Sequence, residues 1–254
     1  MSIEFENKTA LVTGASRGIG AATALALAKA GVKRLIVHYG SYKDGAEATL
    51  AAVRAAGAEG EAIRADLGTD CGIDGFLKDL ERSGAAIDIL INNAGSMVKR
   101  ARLAEYTPEL FDTVMALNVK SLWFISQALA PRMIAAGSGA IVNVSSIAAR
   151  NGGGLGATIY AAAKAAVSTI TKGMAKELAP HGVRVNAVSP GTVNNHFHET
   201  FSTPQLLESM RASTPAGRLG TDAEVADTIL FLCSDAARYI YGQTIEVNGG
   251  MYMV

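Results

Sequence analysis

Short apolar runs alternate along the chain with longer, alanine-rich stretches of helical periodicity. Thr9–Thr13, Leu35–His38, Glu61–Ala65, Ile87–Ile91, Ala140–Val144 and Val183–Val188 read as buried strands. Helical patterns cover Gly20–Ala30, Ala46–Ala56, Pro108–Ala135, Ile159–Ala179 and Ala223–Ser234. Strands of this length alternating with helices imply βαβ units and a parallel sheet. The expected fold class is α/β: a single-domain, Rossmann-type, doubly wound parallel sheet of about seven strands with helices on both faces. No Pro/Ser-rich linker, charge block or internal repeat divides residues 1–254, so they read as one domain. Thr192–Thr214 breaks the alternation and reads as an irregular insertion.

Composition narrows the partners. The 254 residues suffice for one large α/β core. Lysine plus arginine, 23, equals aspartate plus glutamate, 23, so there is no global field for nucleic acid or an anionic membrane. Met1–Lys8 lacks an apolar signal-peptide run. The longest uncharged stretch, Met133–Ala149, is interrupted by glycines, serines and Asn143 and does not read as a membrane span. Cys71 and Cys233 are far apart, and the four histidines show no HxxxH pattern, so no metal site is expected. The expected setting is a reducing cytoplasm and the expected partner a small molecule.

The first strand leads into Thr13-Gly14-Ala15-Ser16-Arg17-Gly18-Ile19-Gly20, and a helical pattern follows at once. Gly14 permits a tight turn, Gly18 lets backbone approach a pyrophosphate, and Gly20 lets helix and strand pack closely. The free N–H groups and dipole of the new helix then favour phosphate. With this Gly-x3-Gly-x-Gly spacing the sequence resembles the short-chain dehydrogenase/reductase family. The resemblance continues along nearly the whole chain. Asp66-Leu67 stands where the family's aspartate meets the adenine amine, and Asn92-Asn93-Ala94-Gly95 is similar to the family's NNAG. Pro190-Gly191 stands where the family lays its chain along the nicotinamide. Alone, each is an ordinary set of turn residues. In order, each falls at a strand's C-terminal edge, where open α/β sheets bind ligands.

The resemblance implies a nicotinamide cofactor held by Gly14, Ser16, Arg17, Gly18, Ile19 and Gly20 at the first turn. Ser41, Asp66 and Leu67 follow on the adenine side, then Asn93, Ala94 and Gly95. Pro190, Gly191 and Val193, with Tyr160 and Lys164, complete the set. One departure is Asn195, where the family often has threonine; its amide can still bond a carboxamide. NAD-using members usually carry an aspartate at the end of the second strand. Here that end reads His38-Tyr39-Gly40-Ser41-Tyr42-Lys43, with no carboxylate before Asp44. A carboxylate would repel a 2′-phosphate, and Arg17 resembles the basic residue of NADP-using relatives. NADP(H) is therefore the expected cofactor, with NAD(H) the alternative.

Tyr160-Ala161-Ala162-Ala163-Lys164 is a YxxxK whose i, i+4 spacing puts both side chains on one helix face. A free tyrosine has a pKa of about 10, and a nearby ammonium should favour the phenolate. The motif alone is common and usually structural. Here Ser145-Ser146 lies upstream at a strand end, and Ser146 matches the family's serine, which bonds the reacting oxygen. Ser145 reads as a loop serine bonding backbone. Asn118 matches the family's asparagine, which serves a proton relay; otherwise it is a polar residue bending a long helix. The resemblance thus makes Asn118, Ser146, Tyr160 and Lys164 the catalytic set of an enzyme interconverting alcohol and carbonyl. A silent NADP-binding regulator should have lost part of that set. A nucleotide-sugar epimerase should have a longer C-terminal domain.

Pro215–Gly220 and Gly242–Gly250 extend the resemblance. The latter looks like a last strand and the tail that packs on neighbouring subunits in tetrameric relatives, implying a homotetramer. The overall look is similar to 3-oxoacyl-carrier-protein reductases and to sugar or polyol dehydrogenases. A carrier protein demands basic residues near the mouth, yet Ala135–Ala140 carries no charge and only Lys176 remains on the helix side. The insertion begins Asn194-Asn195-His196-Phe197-His198-Glu199-Thr200-Phe201, with polar groups suited to hydroxyls. The expected substrate is a small polar carbonyl or sugar-derived alcohol; the alternative is a 3-oxoacyl carrier thioester.

Overall fold

The computed structural model describes residues 3–253. Seven strands form one parallel sheet: β1 (Thr9–Val12), β2 (Arg34–Tyr39), β3 (Glu59–Arg64), β4 (Ile89–Asn92), β5 (Gly139–Val144), β6 (Val183–Pro190) and β7 (Thr244–Val247). Their spatial order is β3-β2-β1-β4-β5-β6-β7. The chain winds outward from β1 in one direction, then returns to β4 and winds outward in the other. The crevice between β1 and β4, at the strands' carboxyl ends, is the place such a sheet offers a ligand.

Helices cover both faces. α1 (Gly18–Lys29), α2 (Lys43–Ala55) and α10 (Asp222–Cys233) pack on one face; α3 (Asp70–Arg82), α5 (Ser121–Ala136) and α7 (Thr158–Leu178) pack on the other. Alternation along β1 shows the division. Ala10 and Val12 join the first core with Leu27, Val53 and Ile229, while Leu11 joins the second with Phe76, Ile125 and Val167. The shorter helices are α4 (Pro108–Met115), α6 (Ala148–Asn151), α8 (His196–Phe201) and α9 (Pro204–Ser213).

One helix goes unread in the apolar pattern, and two expected elements take a different form. The stretch after β3 is a helix, α3, although Gly72 and Gly75 dilute its pattern; Thr69 caps it, and burial of Ile73, Phe76 and Leu80 outweighs the glycine propensity. Pro108–Ala135 is one continuous helical rod, as expected, but not a uniform α-helix. α4 ends at Met115, Ala116–Lys120 winds one turn with an i→i+5 bond from Ser121 N–H to Ala116 O, and α5 follows. Thr192–Thr214 is not irregular. Asn195 caps α8 and Thr203 caps α9, with Pro204 opening the latter. Neither helix buries a residue, so the apolar periodicity that reveals a helix is missing there.

Among the described residues, no helix is long and apolar enough to cross a membrane.

Candidate active site

The β1–α1 turn is tied to three neighbouring strand ends. The Asn93 and Ala94 N–H groups both donate to Thr13 Oγ1 at 3.0 Å. Asn93 Nδ2 donates to Thr13 O and Gly14 O, at 2.9 and 3.0 Å, so its amide braces the loop from beneath. Gly14 has φ +63°, and a Cβ there would lie 2.9 Å from Ala94 Cα. Gly14 N–H donates to His38 Nδ1 at 3.0 Å, which leaves Nε2 carrying the hydrogen for Ala65 O at 3.1 Å. Burial pushes the His38 pKa down to about 4, so the ring is neutral. In the sequence His38 marks only a strand end; nothing in a lone histidine reveals that it links β1, β2 and β3.

Beyond this turn α1 points its N-terminus into the crevice. Its N-cap, Arg17, makes no side-chain capping bond, so the first-turn N–H groups have no side-chain acceptor. The Arg17 guanidinium lies over the Tyr42 ring, and Tyr39, Gly40 and Ser41 place no carboxylate beside it. Helix N-terminus, close glycine turn and unopposed cation fit a dinucleotide bearing an extra phosphate.

Gly14, Arg17, Gly18 and Ile19 line one end of a cleft of about 380 Å³. Asn93, Ala94 and Gly95 line its floor, and Pro190, Gly191 and Val193 its far side. Gly20 is buried behind the turn, where a Cβ would collide with Gly14 O. Ser16 is half-buried, and Ser41 and Asp66 are exposed at the ends of β2 and β3, outside the cleft lining. Asp66 Oδ1 accepts from Gly68 N–H at 3.0 Å, and Leu67 is buried in the core beside it.

Ser146, Tyr160 and Lys164 meet at the centre of the cleft. Ser146 follows β5 by two residues, its Oγ accepts from Ala148 N–H at 3.1 Å, and its hydroxyl faces Tyr160 closely enough to pull the phenol pKa down. One helical turn on, Lys164 Nζ lies 5.7 Å from the Tyr160 ring centroid and donates to Val144 O at 2.8 Å. Ser145 turns away: its Oγ donates to Lys164 O at 2.8 Å and meets Ser168 Oγ, pinning α7 to β5. Asn118 sits in the i→i+5 turn, where Nδ2 donates to Ser96 O and Val114 O, both at 2.8 Å. Such turns recur at functional sites. A Cβ on Gly95 would lie 2.7 Å from Asn118 Oδ1 and 2.8 Å from Lys164 Nζ, so both groups converge on that glycine.

The expected downward shift of Tyr160 is reversed in the free protein. Burial pushes its pKa up to about 12, against a smaller downward pull from the Ser146 hydrogen bond. Burial also pushes Lys164 down to about 8. Desolvation of both charged forms outweighs their mutual attraction.

Opposite Tyr160, α8 forms a wall. The Phe197 ring lies 5.5 Å from Tyr160 and 5.0 Å from Phe201. His198 Nδ1 meets Ser202 Oγ at 3.0 Å, and its pKa is pushed down to about 4 by burial and by the Arg100 charge. Asn195 is not free for a ligand: its Nδ2 donates to Asp222 Oδ1 at 2.7 Å, and its Oδ1 accepts from Phe197 N–H. The basic run Lys99-Arg100-Ala101-Arg102 lies far in sequence from the insertion it meets. Arg100 bonds Phe201 O and Leu155 O, so it belongs to this side of the site.

Comparison with known proteins agrees along the full length. The family model described as enoyl-(acyl carrier protein) reductase matches residues 14–252. A 3-oxoacyl-(acyl-carrier-protein) reductase, FabG, of Staphylococcus epidermidis is 41% identical over 247 residues, 97% of this chain and 100% of that protein. A solved structure provisionally named an NAD(P)-dependent gluconate 5-dehydrogenase, from Beutenbergia cavernae with NADP bound at low occupancy, has a TM-score of 0.91. It is 33% identical and covers 99% of each chain. The DEH reductase A1-R' mutant structure has a TM-score of 0.89, 34% identity and 100% coverage of both chains.

Proposed function

This chain belongs to the short-chain dehydrogenase/reductase family of oxidoreductases, and on that footing we propose that it interconverts a small polar carbonyl and its alcohol using NADP(H). The convergence of Ser146, Tyr160 and Lys164 in one cleft carries the reading. NADPH, when bound, supplies the hydride, and NADP⁺ accepts it in the reverse direction. The glycine-rich turn, the α1 N-terminus and Arg17 would hold its phosphates.

With its pKa near 12, Tyr160 keeps its proton at neutral pH and donates it to the oxygen of the carbonyl being reduced. Ser146 bonds the same oxygen and steadies its developing charge. Lys164, still protonated below about pH 8, stabilises the tyrosinate left behind. Asn118 and Lys164 face the same space beside Gly95, the arrangement for returning a proton through water to the lysine.

Polar groups of Ser96, His196, His198 and Thr200 on the substrate side support a hydroxylated substrate. So does likeness to a gluconate dehydrogenase and to DEH reductase. A second reading, reduction of a 3-oxoacyl thioester, is supported by the Phe197–Phe201 wall and the 41% identical relative. A panel of sugars, polyols, sugar acids and 3-oxoacyl thioesters, followed at the nicotinamide absorbance in both directions, separates them. Turnover confined to the thioesters would overturn the first. A homotetramer and a cytoplasmic setting, where thiols such as Cys71 and Cys233 stay unpaired, complete the proposal.

A further inference from the structure

The cleft lining contains Arg17 and Lys164 but no aspartate or glutamate. A third cation adjoins its substrate side. Arg100 Nε donates to Phe201 O at 3.1 Å and Nη1 donates to Leu155 O at 2.5 Å. Arginine has five N–H donors, so Nη2 and one Nη1 hydrogen remain. Among the described residues Arg100 has no salt-bridge partner. It is half-buried, and its charge reaches His198 in the cleft wall.

The surrounding chain makes room for this side chain. A Cβ on Gly156 would lie 2.8 Å from Arg100 Cγ, and one on Gly154 would lie 3.6 Å from Nη1. Two residues earlier Val98 has φ +62°, a strained conformation for a β-branched residue. Lys99 N–H closes that turn on Met97 O at 2.7 Å. Strain of this kind persists where surrounding structure enforces it, characteristically beside ligand sites.

We propose that Arg100 anchors a carboxylate carried by the substrate, so the site prefers sugar acids and comparable oxo-acids over neutral sugars. The proposal rests on the small-polar-substrate reading above. Two carbonyl bonds fix the plane of the guanidinium before ligand arrives, and its remaining donors suit a carboxylate better than a lone hydroxyl. From Tyr160 the wall runs through ring contacts to Phe197 and then Phe201, and Arg100 is bonded to the Phe201 carbonyl at its far end. The carboxylate therefore belongs to the far end of the substrate, several carbons from the reacting carbonyl.

The test pairs each acid with its neutral amide, using wild type, Arg100→Gln and Arg100→Lys with NADPH. Wild type should show a KM at least about tenfold lower for the acid. Arg100→Gln should raise the acid's KM by about 100-fold and the amide's by far less, so that the preference for the acid is lost, and be partly rescued by Arg100→Lys. Should the variants unfold, simple dicarboxylates in wild type should inhibit competitively against the carbonyl substrate where neutral diols do not. Equal KM for acid and amide, equal losses on both in Arg100→Gln, or no carboxylate inhibition would each overturn the anchor. Turnover of thioesters alone would instead sink the substrate reading, and the anchor with it.

Discussion

The Arg17 guanidinium lies 4.1 Å from the centroid of the Tyr42 ring. The ring in turn packs against Gly45, where any Cβ would collide with it and with Ser16 O. Gly45 thus lets Tyr42 lie flat enough to hold Arg17 over the turn at the start of α1. A cation over an exposed ring gains about 0.5–1 kcal/mol. Tyr42→Ala should therefore weaken NADPH binding by roughly two- to fivefold, while Tyr42→Phe keeps the ring and the affinity. NADH binding should not move in either variant. Fluorescence titration of both reduced cofactors checks this, and an equal loss for NADH would show that Tyr42 merely supports the loop.

Tyr160→Phe removes a hydroxyl and little else from a well-packed wall. Turnover should fall by about two to four orders of magnitude with NADPH affinity retained. In wild type, carbonyl reduction should be level below about pH 8 and decline above it, because Lys164 then loses the charge that supports Tyr160. Alcohol oxidation should rise with pH as the tyrosine proton becomes easier to remove. Lys164→Met should abolish the alkaline decline of the residual reduction rate. A wild-type profile of kcat that is flat through this range would remove Lys164 from its assigned role.

His38 gives an acid-side prediction. Its pKa is lowered from 6.5 to about 4, so folding favours the neutral ring. That contribution is whole above pH 6.5 and is lost as pH falls through 4. The difference is on the order of 3 kcal/mol. A proton on Nδ1 would also confront Gly14 N–H with a second donor, loosening the phosphate-binding turn. His198 titrates over the same window, so His38→Gln should remove part of the acid loss rather than all of it. Denaturant unfolding of both proteins at pH 7 and 4.5 measures the difference. Identical acid sensitivity would mean that His38 is not the group responsible.

The sheet was legible in the sequence because five of its strands, β1, β2, β4, β5 and β6, are largely apolar runs buried on both faces, as Leu35–Val37 shows. The catalytic group was legible because Ser146, Tyr160 and Lys164 are tied to fixed strand and helix ends. What stayed hidden was long-range or weakly amphipathic. The bond from Gly14 to His38 spans 24 residues, and that from Arg100 to Phe201 spans 101. The i→i+5 turn at Asn118 adds one residue to a helix without altering its composition. α8 and α9 bury nothing, and only their caps mark them. The Tyr160 shift was misjudged because a motif shows the neighbouring ammonium but not the depth of burial.

Trp123 and Phe124 on α5 are 39% and 37% exposed, and Phe111 on α4 is 44% exposed. Trp123 and Phe124 line a hollow with Ile170 of α7, so the face is continuous across two long helices. Tyr239 and Met253, toward the C-terminal end, are largely exposed as well. Exposed apolar groups on the helical face and in the C-terminal segment would suit two different twofold interfaces, the requirement for a closed tetramer. Light scattering should give the mass of four chains. Charging the helical face with Trp123→Glu and Phe124→Glu should leave dimers held through the C-terminal area, with secondary structure retained, because neither side chain belongs to the buried core. A wild-type monomer at micromolar concentration would refute the tetramer, and an intact tetramer in the double variant would move the interface elsewhere.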